Sequence, residues 1–252
     1  MEEKLNISEI EPEKKIIISK FKFNCDDEDN TIPAPLPKVL NFFMLISGKP
    51  ASGKTSLVLN LICKNNKVYN KKFDKIYVYS PSLITLKDQP FGDLPENQLH
   101  TELSEELLKQ SLSEIKDSGE KILFIMDDVV NDMKKIGVLT ILNKMLMNRR
   151  HLAGAGGSVS FIITTQIYNK VPITLRKTAT QIILYATKNK KEIDTIFDEL
   201  ILIPKPDYYE ILKYCFDKKY SFIYIDVNKP HDKMFHKCFN ELSFQSRNEL
   251  EF

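Results

Sequence analysis

An α/β fold with a mostly parallel central sheet flanked by helices is the architecture this sequence predicts. Three observations lead there. The chain has 252 residues, 42% of them hydrophobic, which suffices for one substantial core. Continuous apolar runs such as "NFFMLIS" (41–47), "KILFIMDD" (121–128) and "TQIILYAT" (180–187) recur along it, and such runs suit strands covered on both faces. Between them lie longer segments with apolar residues at helical spacing, so strands and helices alternate.

Residues 1–40 read as an N-terminal extension. "IIISKFKF" (16–23) ends in an alternating pattern that suggests an edge strand, and "TIPAPLPK" (31–38) has too many prolines for a helix and reads as an extended connector. The main domain spans 41–240. In it, the strand 41–47 runs into a glycine-flanked loop and a helix (53–65) with Leu57, Leu61 and Ile62 on one face. A β-rich stretch follows at 75–80, then a helix at 103–119 closed by a glycine. The strand 121–128 ends in two aspartates. A helix at 136–150, a β-branched strand at 158–166, a strand at 180–187 and helices at 190–201 and 207–217 come next, before a last strand at 220–227. Residues 241–252 form a polar tail.

The net charge of +2 announces no nucleic-acid partner in bulk, so any such surface is a local patch. The four cysteines form no C-x-x-C pair and are expected as reduced thiols of an intracellular protein. The N-terminus lacks an apolar signal segment and the longest apolar runs are too short to span a bilayer, so a soluble chain without membrane contact is expected.

The loop Gly48-Lys49-Pro50-Ala51-Ser52-Gly53-Lys54-Thr55, with Ser56 following, matches the pattern G-x-x-x-x-G-K-[ST] in full. Its backbone N–H groups would point at phosphate oxygens, and Gly48 and Gly53 permit that close approach. The helix start adds a positive dipole end. Lys54 would reach the outer phosphates and the Thr55 hydroxyl a Mg²⁺ ion, which makes ATP with Mg²⁺ the expected ligand. Pro50 and Ser52 are assigned no separate role.

The apolar strand closed by Asp127-Asp128 has the form of a Walker B strand. Asp127 is assigned to the metal shell and Asp128 to the attacking water. An aspartate at the second place has a shorter arm than glutamate, so its reach depends on the local backbone. "FIITTQ" (161–166) ends a third strand; if that strand lies between the other two, Gln166 faces the γ-phosphate and would either sense hydrolysis or help hold the water. Chemistry there also calls for an arginine, commonly from a neighbouring subunit. Only four arginines exist. Arg149 and Arg150 in "NRRH" and Arg176 in "VPITLRK" are the candidates; Arg247 lies in the tail.

Taken in order, "GKPASGKT", "LFIMDD", "NRRH", "FIITTQ" and "VPITLRKTATQIILY" resemble the DNA-packaging ATPases of large eukaryotic DNA viruses and virophages, within the FtsK/HerA superfamily of P-loop ATPases. The resemblance covers roughly residues 40–190. It implies a sheet in which a strand intervenes between the Walker A and Walker B strands. It also implies a ring, a hexamer favoured, that uses ATP to drive double-stranded DNA into a preformed capsid. Capsid or portal-vertex proteins would be partners, and the viral factory in the host cytoplasm or the virion the location. It supports Lys54, Thr55, Asp127, Asp128 and Gln166 in these same roles, and leaves the arginine among Arg149, Arg150 and Arg176 open. Lysines in "NDMKKIG" (131–137) and "KNKKE" (188–192) are candidate DNA contacts. Two other classes stay in view: a P-loop nucleotide or small-molecule kinase, and a non-catalytic, nucleotide-gated capsid component. A GTPase is disfavoured by the absence of N-K-x-D and D-x-x-G signatures.

Overall fold

The computed structural model describes residues 24–63, 68–82, 90–201 and 203–244. The edge strand expected at 16–23 and most of the tail, Arg247 included, lie outside the described residues. In chain order the elements are β1 (Phe43–Ser47), α1 (Lys54–Ile62), β2 (Lys75–Tyr79), β3 (Leu99–His100), α2 (Glu105–Ile115), β4 (Lys121–Asp127), α3 (Ile136–Asn148), β5 (Ser158–Thr165), α4 (Ile173–Arg176), β6 (Gln181–Tyr185), α5 (Lys190–Leu200), α6 (Lys205–Cys215), β7 (Phe222–Asp226), β8 (Phe235–Lys237) and β9 (Asn240–Glu241).

Among the described residues, one sheet of nine strands runs β3-β2-β4-β5-β1-β6-β7-β8-β9. The pairings from β3 across to β6 are parallel and those from β6 to β9 antiparallel. The change of direction follows from the connection: two successive helices, α5 and α6, separate β6 from β7, so the chain re-enters the sheet from the end at which it left. β5 lies between β4 and β1, as the resemblance implied. Four elements were not anticipated. β3 and β9 have two residues each, β8 three and α4 four, too few to leave a readable period.

Side chains alternate between the two faces of the sheet, and each face carries its own core. Phe43, Leu45, Phe124 and Met126 pack with α2, α3 and α5; Met44, Ile46, Leu123 and Ile125 pack with α1. On the first face the parallel register aligns Tyr77, Phe124, Phe161 and Phe43 across β2, β4, β5 and β1. Their ring centroids are 5.0, 5.2 and 6.4 Å apart in succession. α2 is capped by Ser104, whose hydroxyl accepts from Leu107 N, and α5 by Asn189, whose side chain accepts from Glu192 N. Residues 31–38 are more than a connector. Ile32 and Leu36 are buried in the α1-side core, and the hydroxyls of Tyr224 and Tyr69 donate to the carbonyls of Pro35 and Pro37. Among the described residues no helix is long and apolar enough to cross a membrane.

The aromatic row ties the four central strands together, so its inner member is the place to test it. Phe124→Ala is expected to destabilise the chain by about 3–5 kcal/mol, because a buried ring is lost and its cavity flanked by two others. Equilibrium unfolding in denaturant measures this; a cost below about 1 kcal/mol would show that the row does not hold the sheet.

Candidate active site

In a parallel sheet, residues at the C-terminal ends of adjacent strands come together at one edge. Here β4, β5 and β1 end side by side, with Asp127 opposite Thr164 and Ser47 opposite Thr165. The loop after β1 therefore opens beside the acidic end of β4, with the polar end of β5 between. The backbone closes this junction: Gly48 N donates to Thr165 O at 3.1 Å.

The loop wraps tightly. Ala51 and Gly53 adopt left-handed backbone at φ 59° and 104°. A Cβ at Gly48 would fall 2.7 Å from both Ser52 Oγ and Tyr185 Cβ, so only glycine fits there. α1 begins at Lys54 with no side chain capping its first turn, which leaves its first N–H groups without a side-chain acceptor. The Lys54 side chain is buried and folds back over the loop, donating to Gly48 O at 2.6 Å and Lys49 O at 3.0 Å. Burial pushes its ammonium down from the ordinary lysine value, and the Asp128 and Asp127 carboxylates oppose that shift. Ser52 Oγ is buried with no hydrogen-bond partner among the described residues. A buried orphan hydroxyl, uncapped helix-start N–H groups and a lysine held only by carbonyls fit a phosphate chain.

Asp127 is buried and encircled by hydroxyls. Thr164 Oγ1 donates to its Oδ1 at 2.6 Å; Ser80 and Ser82 each donate to its Oδ2 at 3.1 Å. Asp128 is exposed and left-handed at φ 58°, a conformation aspartate tolerates better than most residues. Its N–H donates to Thr164 Oγ1, and its Oδ2 accepts from Gln166 Nε2 at 2.6 Å. The positive φ decides the reach of this short side chain: it turns toward Gln166 rather than continuing the line of β4. An oxygen-only set of the Thr55 hydroxyl and the Asp127 carboxylate suits Mg²⁺.

The structure thus brings together Lys54, Thr55, Asp127, Asp128 and Gln166. It does not bring the arginines to them. Arg149 and Arg150 follow α3, at the opposite edge of the sheet. Arg149 Nε donates to Asn41 O at 2.6 Å and its Nη1 to Leu146 O at 2.8 Å; burial, with the Arg150 charge, pushes its guanidinium down. Arg150 is exposed and paired with Asp26. Arg176 is buried, paired with Glu199, and donates to Val171 O at 2.8 Å. Arg149, half-buried, and Arg176, buried, are thus both bonded to groups of this chain. Of the basic patches, Lys134, Lys135, Lys188, Lys190 and Lys191 are exposed, but Glu192 is not.

Glu192 was missed as a site residue. It is buried at the start of α5, where Oε1 accepts from Ser47 Oγ at 2.9 Å and Tyr168 N at 2.6 Å, and Oε2 from Thr187 Oγ1 at 3.2 Å. It joins the residue before Gly48 to the segment after Gln166. No sequence signal marked it, because it follows two lysines in a stretch that reads as a solvated face. Ser80 and Ser82 could have been found, since they form the polar segment directly after β2, beside the polar end of β4.

No family model matches the chain, and no curated protein matches it by sequence. Solved structures do match. The genome packaging NTPase B204 from Sulfolobus turreted icosahedral virus 2, in complex with sulfate, aligns with a TM-score of 0.59 at 19% identity over 81% of this chain and 98% of that one. Its complex with AMPPCP aligns with a TM-score of 0.58 at 18% identity, over 80% and 98%. The fold is that of a P-loop NTPase. The pCW3 conjugation coupling protein TcpA with ATPγS shares it, with a TM-score of 0.52 at 14% identity over 84% of this chain and 63% of that one. At these identities the likeness carries the P-loop NTPase fold.

Glu192→Leu leaves Tyr168 N and Ser47 Oγ buried without an acceptor, and an expected loss of about 1–3 kcal/mol follows. Glu192→Gln keeps an oxygen toward both donors, and Thr187 Oγ1 can turn to accept, so it should stay within about 1 kcal/mol of the parent. Denaturant midpoints of the three chains compare them; equal losses for both variants would contradict these hydrogen bonds.

Proposed function

We propose that this chain is the ATP-hydrolysing subunit of an oligomeric ring, a hexamer favoured, that translocates double-stranded viral DNA into a preformed capsid. It would belong to the viral branch of the FtsK/HerA superfamily. The observation that carries the reading is the Asp127–Asp128–Gln166 group set beside the phosphate loop by the strand order β4-β5-β1. The fold likeness to proteins described as a genome packaging NTPase and a DNA-packaging ATPase supports the DNA substrate.

In this mechanism Lys54 and the loop N–H groups grip the β- and γ-phosphates and offset their charge. Thr55 and Asp127 would hold Mg²⁺, which supplies charge neutralisation at the phosphates. The three hydroxyls on Asp127 fix its orientation. Asp128 orients and polarises the attacking water, and the Gln166 amide holds Asp128 in place and reports the γ-phosphate to β5. Arg150, the exposed member of the arginine set, is the one that could reach a neighbouring subunit's site after leaving Asp26. Lys134, Lys135, Lys188, Lys190 and Lys191 are the candidate DNA contacts. Capsid or portal-vertex proteins would be partners, in the viral factory of the host cytoplasm or in the virion.

ATP hydrolysis by the purified chain is expected to rise on adding double-stranded DNA and to vanish in Lys54→Ala. Asp128→Asn should retain ATP binding while turnover falls roughly 10²–10⁴-fold. Turnover indifferent to DNA at every salt concentration tested would sink the translocase reading. Tight ATP binding without turnover, even with DNA and an assembled ring, would favour a nucleotide-gated structural role.

A further inference from the structure

Tyr220 stands on the flank of the phosphate loop away from the acidic group. β6 borders β1 on that side, and β7 pairs antiparallel with β6, with Tyr185 opposite Phe222. Because β7 starts where β6 ends, the residues just before it extend past the sheet edge that carries the loop. Tyr185 and Tyr220 converge there on Gly53. A Cβ at Gly53 would lie 3.5 Å from Tyr220 Cδ1 and 3.6 Å from the Tyr185 hydroxyl oxygen. Tyr185 is buried and lies under the loop. Tyr220 is 56% exposed, and Lys219 Nζ lies 4.8 Å from its ring centroid. Its backbone is left-handed at φ 69°, which costs a bulky residue energy and persists only where the surroundings impose it.

The phosphate chain has a direction. Asp127, Asp128 and Gln166 occupy the β4–β5 flank, so the γ-phosphate faces that way and the nucleoside end faces the β6–β7 flank. We propose that Tyr220 is a stacking platform for the nucleobase of the bound nucleoside triphosphate. An exposed aromatic ring against the loop's last glycine is the group that a planar, uncharged base recognises, and stacking accepts any base because each has a π-face. This rests on the phosphate-site reading above.

The test separates base from phosphate with two probes, ATP and inorganic tripolyphosphate. Tyr220→Ala in the full chain is expected to weaken ATP on the order of tenfold and to leave tripolyphosphate unchanged. Tyr220→Phe should keep both affinities. Tyr220→Gly relaxes the left-handed backbone, so its thermal midpoint should hold or rise while ATP weakens. The chain has no tryptophan, so Tyr220→Trp gives a single reporter whose emission should change with ATP and not with tripolyphosphate. Unchanged ATP affinity in Tyr220→Ala, or equal loss of both probes, would overturn the platform. A parent chain that binds neither probe would instead overturn the phosphate-site reading, and the platform with it.

Discussion

Hydrogen bonds from β5 to both of its neighbours hold the candidate site in being. They fix Asp127 against Thr164 on one side and Ser47 against Thr165 on the other. A slip of one residue on either side would turn every following side chain to the opposite face. It would also break the aromatic row from Tyr77 to Phe43, which depends on the same register. The core and the site are therefore specified by one set of pairings. Packing on one face protects the position of the polar groups at the strand ends.

Two buried carboxylates show how charge is tolerated at that edge. Asp127 accepts from three hydroxyls drawn from β5 and the segment after β2. Glu192 accepts from two hydroxyls and a backbone N–H drawn from β1, the segment after β5 and the residues leading into its own helix. Each carboxylate is encircled by donors, which is the condition under which a buried anion is stable. The two flank the loop start and the β5 exit from opposite sides. Asp127 faces the loop from β4; Glu192 ties the residue before it to Tyr168. Tyr168 is itself anchored by Glu199, which also pairs with buried Arg176. A continuous polar path thus runs from Ser47 to α4. This gives Arg176 an internal function in a chain that has few arginines.

The motifs were legible in the sequence because each is short and local. "GKPASGKT" carries its geometry in its glycines, and "LFIMDD" and "FIITTQ" announce strands whose polar ends need a partner. The same locality left the arginines open, since residue type and chain order do not tell an exposed guanidinium from one bonded to carbonyls of its own chain. Glu192 was invisible for the matching reason: burial of a carboxylate is decided by the groups around it. Tyr220 was likewise invisible, since nothing nearby in the chain relates it to Gly53.

The sequence by itself determined the α/β class, the main strands and helices, the phosphate-loop pattern and the acidic strand end, because periodicity and short motifs are written in neighbouring residues. Only the tertiary structure decided that Asp128 turns to meet Gln166, that Arg149 and Arg176 are bonded to carbonyls of this chain, and that Glu192 and Tyr220 stand at the loop. Those facts depend on strand order, on a backbone turned left-handed at single residues, and on contacts between segments far apart in the chain.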